Sequence, residues 1–210
     1  MEDRLAHLQD RALYEKFYDA DTTPGEFHAM QPYEPRLLWN LAHLRPDADV
    51  VDLGCHKGEM TLYLRQGTRG RVVGVDCSKQ AIEEAAEFHA GAGIEWVRAF
   101  AEEAPFPDSS FDMACVNEVL EHVIDPEAVI REAERIVRPG GVVCVSVPVD
   151  AVPMDLEERE MRDRVTGLKL ARHVREYYPA EALAGKAKLR TEERRIGNVA
   201  FRLASYRVTK

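Results

Sequence analysis

The chain has 210 residues, 31% of them charged, with a formal net charge of −9, a length that suits one domain with a sizeable core and an acidity that argues against gripping nucleic acid by phosphate charge alone. It contains no apolar run of the roughly 18 residues that a membrane span needs, and no basic-then-apolar leader opens it. Four cysteines (Cys55, Cys77, Cys115, Cys144) fall in or beside expected strands without paired spacing, so buried thiols in a cytoplasmic protein are expected rather than disulfides or zinc.

In chain order, Leu5, Leu8, Ala12, Leu13 and Phe17 recur at helical spacing, and Asp21-Thr-Thr-Pro-Gly25 breaks that helix. An aromatic, irregular stretch from Phe27 to Pro35 leads into a helix over 36–44. Residues 1–45 read as a helical cap or lid segment and 46–210 as the main domain, together one structural unit. Val50, Val51 and Leu53 form a buried strand that stops at Gly54, and a helix follows over 59–66. A second strand covers 71–76. Ser78 caps a helix whose face carries Ile82, Ala85, Ala86 and His89, with Gly91 closing it. Strands follow at 94–99 and 111–116. Asp125 and Pro126 start a helix with Val129, Ala133, Ile136 and Val137 on its core face. Arg138-Pro-Gly-Gly141 reads as a turn into a strand over 142–147. Short helices are expected over 154–183, and Gly197-Asn198 joins strands 188–196 and 199–208 in a hairpin.

Two features carry chemistry. Val50 to Gly58 (Val-Val-Asp-Leu-Gly-Cys-His-Lys-Gly) is a strand, a tight turn and a helix start, the layout in which α/β folds hold nucleotide-like ligands. Gly54 lets the backbone approach a ligand, and the helix offers unpaired N–H groups to an anion. Asp76 ends the second strand, 24 residues beyond Asp52, where a carboxylate can accept both ribose hydroxyls. No Gly-Lys-Ser/Thr ending follows, which excludes a Walker-type triphosphate site. The second feature is Glu118, Glu121 and His122. On a helical turn their i, i+3, i+4 spacing would put all three on one face, a set that suits a divalent cation (magnesium, manganese or zinc) with His173 closing the site. The competing reading has Glu118 as a cap and His122 lining a pocket. Over 159–175 six basic residues face two acidic ones, either a solvated helix face or a lip for an acceptor bearing phosphate or carboxylate.

Asp52-Leu-Gly54-Cys-His-Lys-Gly58, Val75-Asp76, Pro105 to Asp112, Glu118-Val-Leu-Glu-His122 and Arg138-Pro-Gly-Gly141, in this order, resemble the motifs of the class I S-adenosylmethionine-dependent methyltransferases. The resemblance covers roughly residues 30–150. It implies a Rossmann-like three-layer α/β sandwich, with a seven-stranded, mostly parallel sheet whose last strand is antiparallel. It also implies S-adenosylmethionine as cofactor, S-adenosylhomocysteine as product, and methyl transfer to a small molecule at a hydroxyl oxygen by in-line displacement. Cofactor duties would fall on Arg36 (the methionine carboxylate), Asp52, Gly54, Asp76, Cys77, the Phe100-Ala101-Glu102 turn and Asn117. The sequence departs from the family twice. Ala99-Phe100-Ala101-Glu102 stands where Gly-Asp-Ala is usual, so the adenine-binding acid is missing, and His56 replaces the middle glycine of the turn. Glu118-x-x-Glu121-His122 with the later His173 also resembles metal-assisted catechol O-methyltransferases of the ubiquinone type and terminal-ribose 2′-O-methyltransferases of small RNAs. Without a metal, His122, His173, Tyr177 or Tyr178 is the candidate base. A non-catalytic cofactor-binding sensor or subunit is the remaining alternative.

Overall fold

Short apolar runs that alternate with amphipathic helices cannot bury themselves singly, and here they pair into one sheet covered on both faces. The computed structural model describes residues 35–123, 125–149, 183, 186, 190–196 and 199–209. Its elements are α1 (Pro35–His43), β1 (Val50–Leu53), α2 (Glu59–Gly67), β2 (Val72–Asp76), α3 (Lys79–Phe88), β3 (Glu95–Arg98), β4 (Phe111–Asn117), α4 (Pro126–Ile136), β5 (Val137–Val149), β6 (Arg190–Ile196) and β7 (Val199–Arg207).

The seven strands lie in the order β3-β2-β1-β4-β5-β7-β6. The first five pair in parallel, and β7 runs antiparallel to both of its neighbours. The chain moves outward from β1 in one direction through β2 and β3, and in the other from β4. The crevice beyond the tips of β1 and β4 is therefore the topological switch point. Alternation along the strands sends side chains to two cores. Val51, Leu53, Val73 and Val75 pack with Val129, Ile130, Ala133 and Ile136 of α4. Val50, Met113, Cys115 and Cys144 pack with Leu37 of α1 and with Met60 and Leu64 of α2. All four thiols are free.

Three local expectations are corrected. In α3, Ser78 caps by accepting from Ala81 N, but the buried positions are Ala81 and Ala85, and Ala86 is exposed. In α4, Ile130 joins the core face. Arg138 to Gly141 is not a turn before a strand but a distortion inside β5. Phe111 pairs with Val137 and Met113 with Val142, so β5 carries extra residues against β4. Gly140 supplies the left-handed backbone there, at φ +79°. Arg138 staples the distortion by bridging Asp49 at 3.0 Å and Asp112 at 2.9 Å. The hairpin register Ile196↔Val199 leaves a two-residue connection, whose residues 197–198 lie outside the described ones. No described helix is long and apolar enough to cross a membrane.

Candidate functional site

The turn after β1 is shaped by three left-handed residues, Gly54 (φ +77°), His56 (φ +47°) and Gly58 (φ +85°). Its backbone is tied down. Gly54 N and Cys55 N both donate to Val75 O, at 2.7 and 2.9 Å, and Gly58 N donates to Cys55 O. A Cβ on Gly54 would meet Val119 Cγ2 at 2.3 Å, and one on Gly58 would meet Trp96 at the same distance. Lys57 turns inward, 3% exposed, and its Nζ lies 2.8 Å from Glu84 on α3. That ion pair holds the Glu84 carboxyl below the usual carboxylate range.

His56 is exposed at the rim, and its backbone N–H donates to Asp76 Oδ2 at 2.9 Å. Asp76 Oδ1 accepts from Ser78 N at 2.9 Å. Two backbone donors thus orient the carboxylate, a group whose oxygens can each accept more than one hydrogen bond. Asp52 sits deeper, 2% exposed, and Thr61 Oγ1 donates to its Oδ2 at 2.7 Å. Burial pushes its carboxyl up to about 7, with the charges of Asp76 and Glu59 adding to the rise and Thr61 and Asn117 opposing it.

Asn117, the last residue of β4, accepts at Oδ1 from Asn40 Nδ2 at 3.2 Å. Arg36 on α1 lies 4.6 Å over the Phe201 ring and 3.8 Å from Glu118 Oε2. A cleft of ≈ 310 Å³ is lined by Arg36, Asp52, Gly54, Cys55, His56, Glu59, Met60, Asn117 and Glu118. One guanidinium among three carboxyl groups suits a ligand with a carboxylate at one end and more positive than negative charge overall.

Of the residues singled out in the sequence, Arg36, Asp52, Gly54 and Asn117 meet in this cleft, and Asp76 stands beside it through His56. Cys77 and the Phe100–Glu102 turn do not line it. The turn is held at the tip of β2, where Ala99 N donates to Asp76 O at 3.0 Å, and it closes with Glu103 N donating to Phe100 O. Sequence reasoning missed Asn40, Thr61, Glu59 and Met60. Asn40 was within reach, since it lies four residues beyond Arg36 on one helix and shares its face. Thr61 was not, because only the fold brings it to Asp52.

The shared face of Glu118, Glu121 and His122 is overturned. Glu118 takes φ +55° instead of helical backbone, donates its N–H to Ser146 O, and accepts from Ser146 Oγ at 2.9 Å. A turn then forms, with His122 N donating to Val119 O. Glu121 is buried, its Oε1 3.8 Å from His122 Nε2, whereas Glu118 looks toward Arg36. Among the described residues no three His, Cys, Asp or Glu side chains are grouped to hold a metal ion. His173, Tyr177, Tyr178 and the basic run 159–175 lie outside the described residues. A second groove, of ≈ 850 Å³, runs between α1 and the β6–β7 hairpin past Trp39, Arg45, Arg190, Arg194 and Arg207. It holds none of the ligand-binding residues named from sequence except by sharing α1.

Residues 51–145 match the family model described as a methyltransferase domain. The chain is 32% identical over 143 residues to 27-O-demethylrifamycin SV methyltransferase of Amycolatopsis mediterranei, covering 66% of this chain and 52% of that protein. It is 30% identical over 148 residues to demethylmenaquinone methyltransferase of Desulfitobacterium hafniense, covering 67% and 58%. The chain thus spans about half the length of the curated relatives it matches. Among solved structures, a putative methyltransferase from Bacillus halodurans superposes with a TM-score of 0.63 at 16% identity, over 83% of this chain and 98% of that one. The (4+2)-cyclase SpnF superposes with the same score and identity, over 95% and 97%. At such identities the likeness shows the fold alone, and one fold serves more than one chemistry.

Proposed function

We propose that this chain is a class I S-adenosylmethionine-dependent methyltransferase, a reading supported by the methyltransferase-domain match over residues 51–145, and that it methylates a small molecule at a hydroxyl oxygen by in-line displacement. The observation that carries the reading is the cleft at the switch point, where Arg36, Asp52 and Asn117 converge beside the oriented Asp76. The donor set fits S-adenosylmethionine. Its carboxylate would pair with Arg36, its ammonium with Asp52, and its ribose hydroxyls with Asp76, with Asn117 beside the methionine end. The Phe100–Glu102 turn at the tip of β2 would flank the adenine, and Cys77 would lie beside it. When bound, the cofactor supplies an electrophilic methyl group on a sulfonium.

The protein's own part is to orient, to exclude water and to take a proton. His122 is the candidate base on the acceptor side. It is part-exposed, and the buried Glu121 carboxylate lies 3.8 Å from its Nε2. His173 stays with it as a second candidate. An acceptor carrying phosphate or carboxylate would find its partner in the basic run.

Removing the Asp76 carboxylate tests the cofactor site. Hydrogen bonds to a charged group are worth ~1.5–3 kcal/mol each, so Asp76→Ala should weaken S-adenosylhomocysteine at least about tenfold by calorimetry. An unchanged affinity would move the ribose elsewhere. For turnover, cofactor bearing a deuterated methyl group is incubated with a crude metabolite extract. Transfer of label to a hydroxylated product supports the enzyme, whereas tight cofactor binding without label transfer would mean a sensor.

A further inference from the structure

Asn40 is a polar side chain in an apolar helix face, 0% exposed. A buried amide costs folding free energy unless its polar atoms are used. Its Nδ2 donates to Asn117 Oδ1 at 3.2 Å and touches Met60 Sδ at 3.6 Å. Both partners line the cleft, and Asn40 does not. Leucine has the same branched outline and would carry no desolvation cost at this position.

The bond to Asn117 has a direction. With Oδ1 of Asn117 accepting from Asn40, the NH2 end of that amide is the one turned to the Asp52 side, near enough to favour the acid's charged form without completing a hydrogen bond to it. A flipped amide would set an oxygen against that carboxylate. Asn117 Nδ2 is itself buried and completes no hydrogen bond, and neither does Asn40 Oδ1. Of the two residues Asn117 lines the cleft, so its unused N–H gains when a ligand group that can accept arrives.

We propose that Asn40 is a positioning residue that locks the Asn117 amide with its NH2 end toward Asp52, and so keeps Asp52 charged for the cationic end of the bound amino-acid ligand. The proposal rests on the cofactor reading above and lies outside the residues matched by the family model, which begin at 51.

The charge on Asp52 is contested from every side. Thr61 and Glu59 face it from α2, Asp76 from β2 and Asn117 from β4, and the buried thiols of Cys55 and Cys115 feel its charge. Arg36 and His56 share its cleft. Burial sets its titration at about 7, so the sign follows. A cationic ligand prefers the ionised form, and affinity should fall as pH drops through that value. Losing the Asn117 donor raises the titration point further, so the fall should begin at higher pH.

The test is calorimetry of S-adenosylhomocysteine with the full chain between about pH 5.5 and 8.5, repeated in a His56→Gln background to remove the imidazole that lines the cleft. Asn40→Leu should move the midpoint up by about half a unit or more and weaken binding most near neutrality, with the curves converging at the alkaline end. Asp52→Asn should flatten the dependence. Asn40→Ser, which keeps a hydroxyl donor, should fall between Asn40→Leu and the parent and serves if the leucine variant does not fold. Parallel curves, weakened equally at every pH, would reduce Asn40 to packing and overturn the proposal. If the parent chain binds no S-adenosylhomocysteine at any pH, the cofactor reading itself fails and the proposal falls with it.

Discussion

Asp52 shows how one residue can serve two opposed demands. It is buried beneath the glycine turn, where folding disfavours its charge, yet it faces a cleft that suits a cation. In the unfolded chain its carboxyl titrates near 3.8, and in the fold near 7. The folded state therefore binds the proton more tightly, and Asp52 costs stability wherever it is ionised in the fold. That cost is complete above about pH 7 and fades as pH falls from there toward 3.8. Asp52→Asn keeps an acceptor for Thr61 and removes the charge. It should raise the thermal midpoint at pH 8 more than at pH 5, while weakening S-adenosylhomocysteine. Equal gains at both pH values in thermal melts would mean that Asp52 is not charged in the fold. Gly54 is constrained for a different reason. Its φ of +77° and the 2.3 Å approach of Val119 leave no room for a side chain.

At the scale of elements, the end of β4 is where local pattern and tertiary environment disagree. Residues 118–122 carry helix-compatible spacing, but β5 reaches past them, and Ser146 takes both the backbone N–H and the carboxylate of Glu118. Two hydrogen bonds to the neighbouring strand outweigh one isolated helical turn, which is costly to nucleate. Glu118 is thereby turned toward Arg36, and among the described residues no three metal-ligating side chains are grouped. Activity is accordingly expected to persist in excess EDTA, and a methyl-transfer assay with and without chelator checks this. Loss of activity restored by magnesium, manganese or zinc would return these residues to a metal role. At α4 the local code and the fold agree, since Asp125 accepts from Ala128 N and Pro126 opens the first turn. Where cap and apolar face point the same way, the element is legible from sequence.

Across the whole molecule, α1 joins the cleft at the switch point to the antiparallel end of the sheet. Trp39 Nε1 donates to Ala204 O at 3.1 Å, and His43 Nε2 lies 3.0 Å from Ser205 Oγ, both on β7. Arg36 and Asn40 ride on the same helix. Trp39→Phe keeps most of the packing and removes the donor, a loss of about 1 kcal/mol. For a chain of this size that lowers the thermal midpoint by roughly 2–4 °C. A drop in S-adenosylhomocysteine affinity should accompany it, because the helix carries two groups that act at the cleft. Unchanged melting and unchanged affinity would show that α1 is held by its apolar face alone.

What could be read from the residues themselves was whatever depends on neighbours in the chain. Apolar runs marked β1, β2 and β4, a capping aspartate marked α4, and glycines at 54 and 58 marked the turn, because strand burial, capping and left-handed backbone are local requirements. Gly54 and Asp76 were reached in the same way, whereas Asp52 and Asn117 came through the resemblance of the ordered motifs. The tertiary structure alone decided how far each strand extends against its partner, as in the distorted Arg138–Gly141 segment of β5. It also decided that Glu118 belongs with Arg36 and Ser146, and that Thr61 and Asn40 stand behind the acid and the amide of the cleft. These outcomes turn on hydrogen bonds and burial between residues distant in sequence, and no spacing along the chain encodes them.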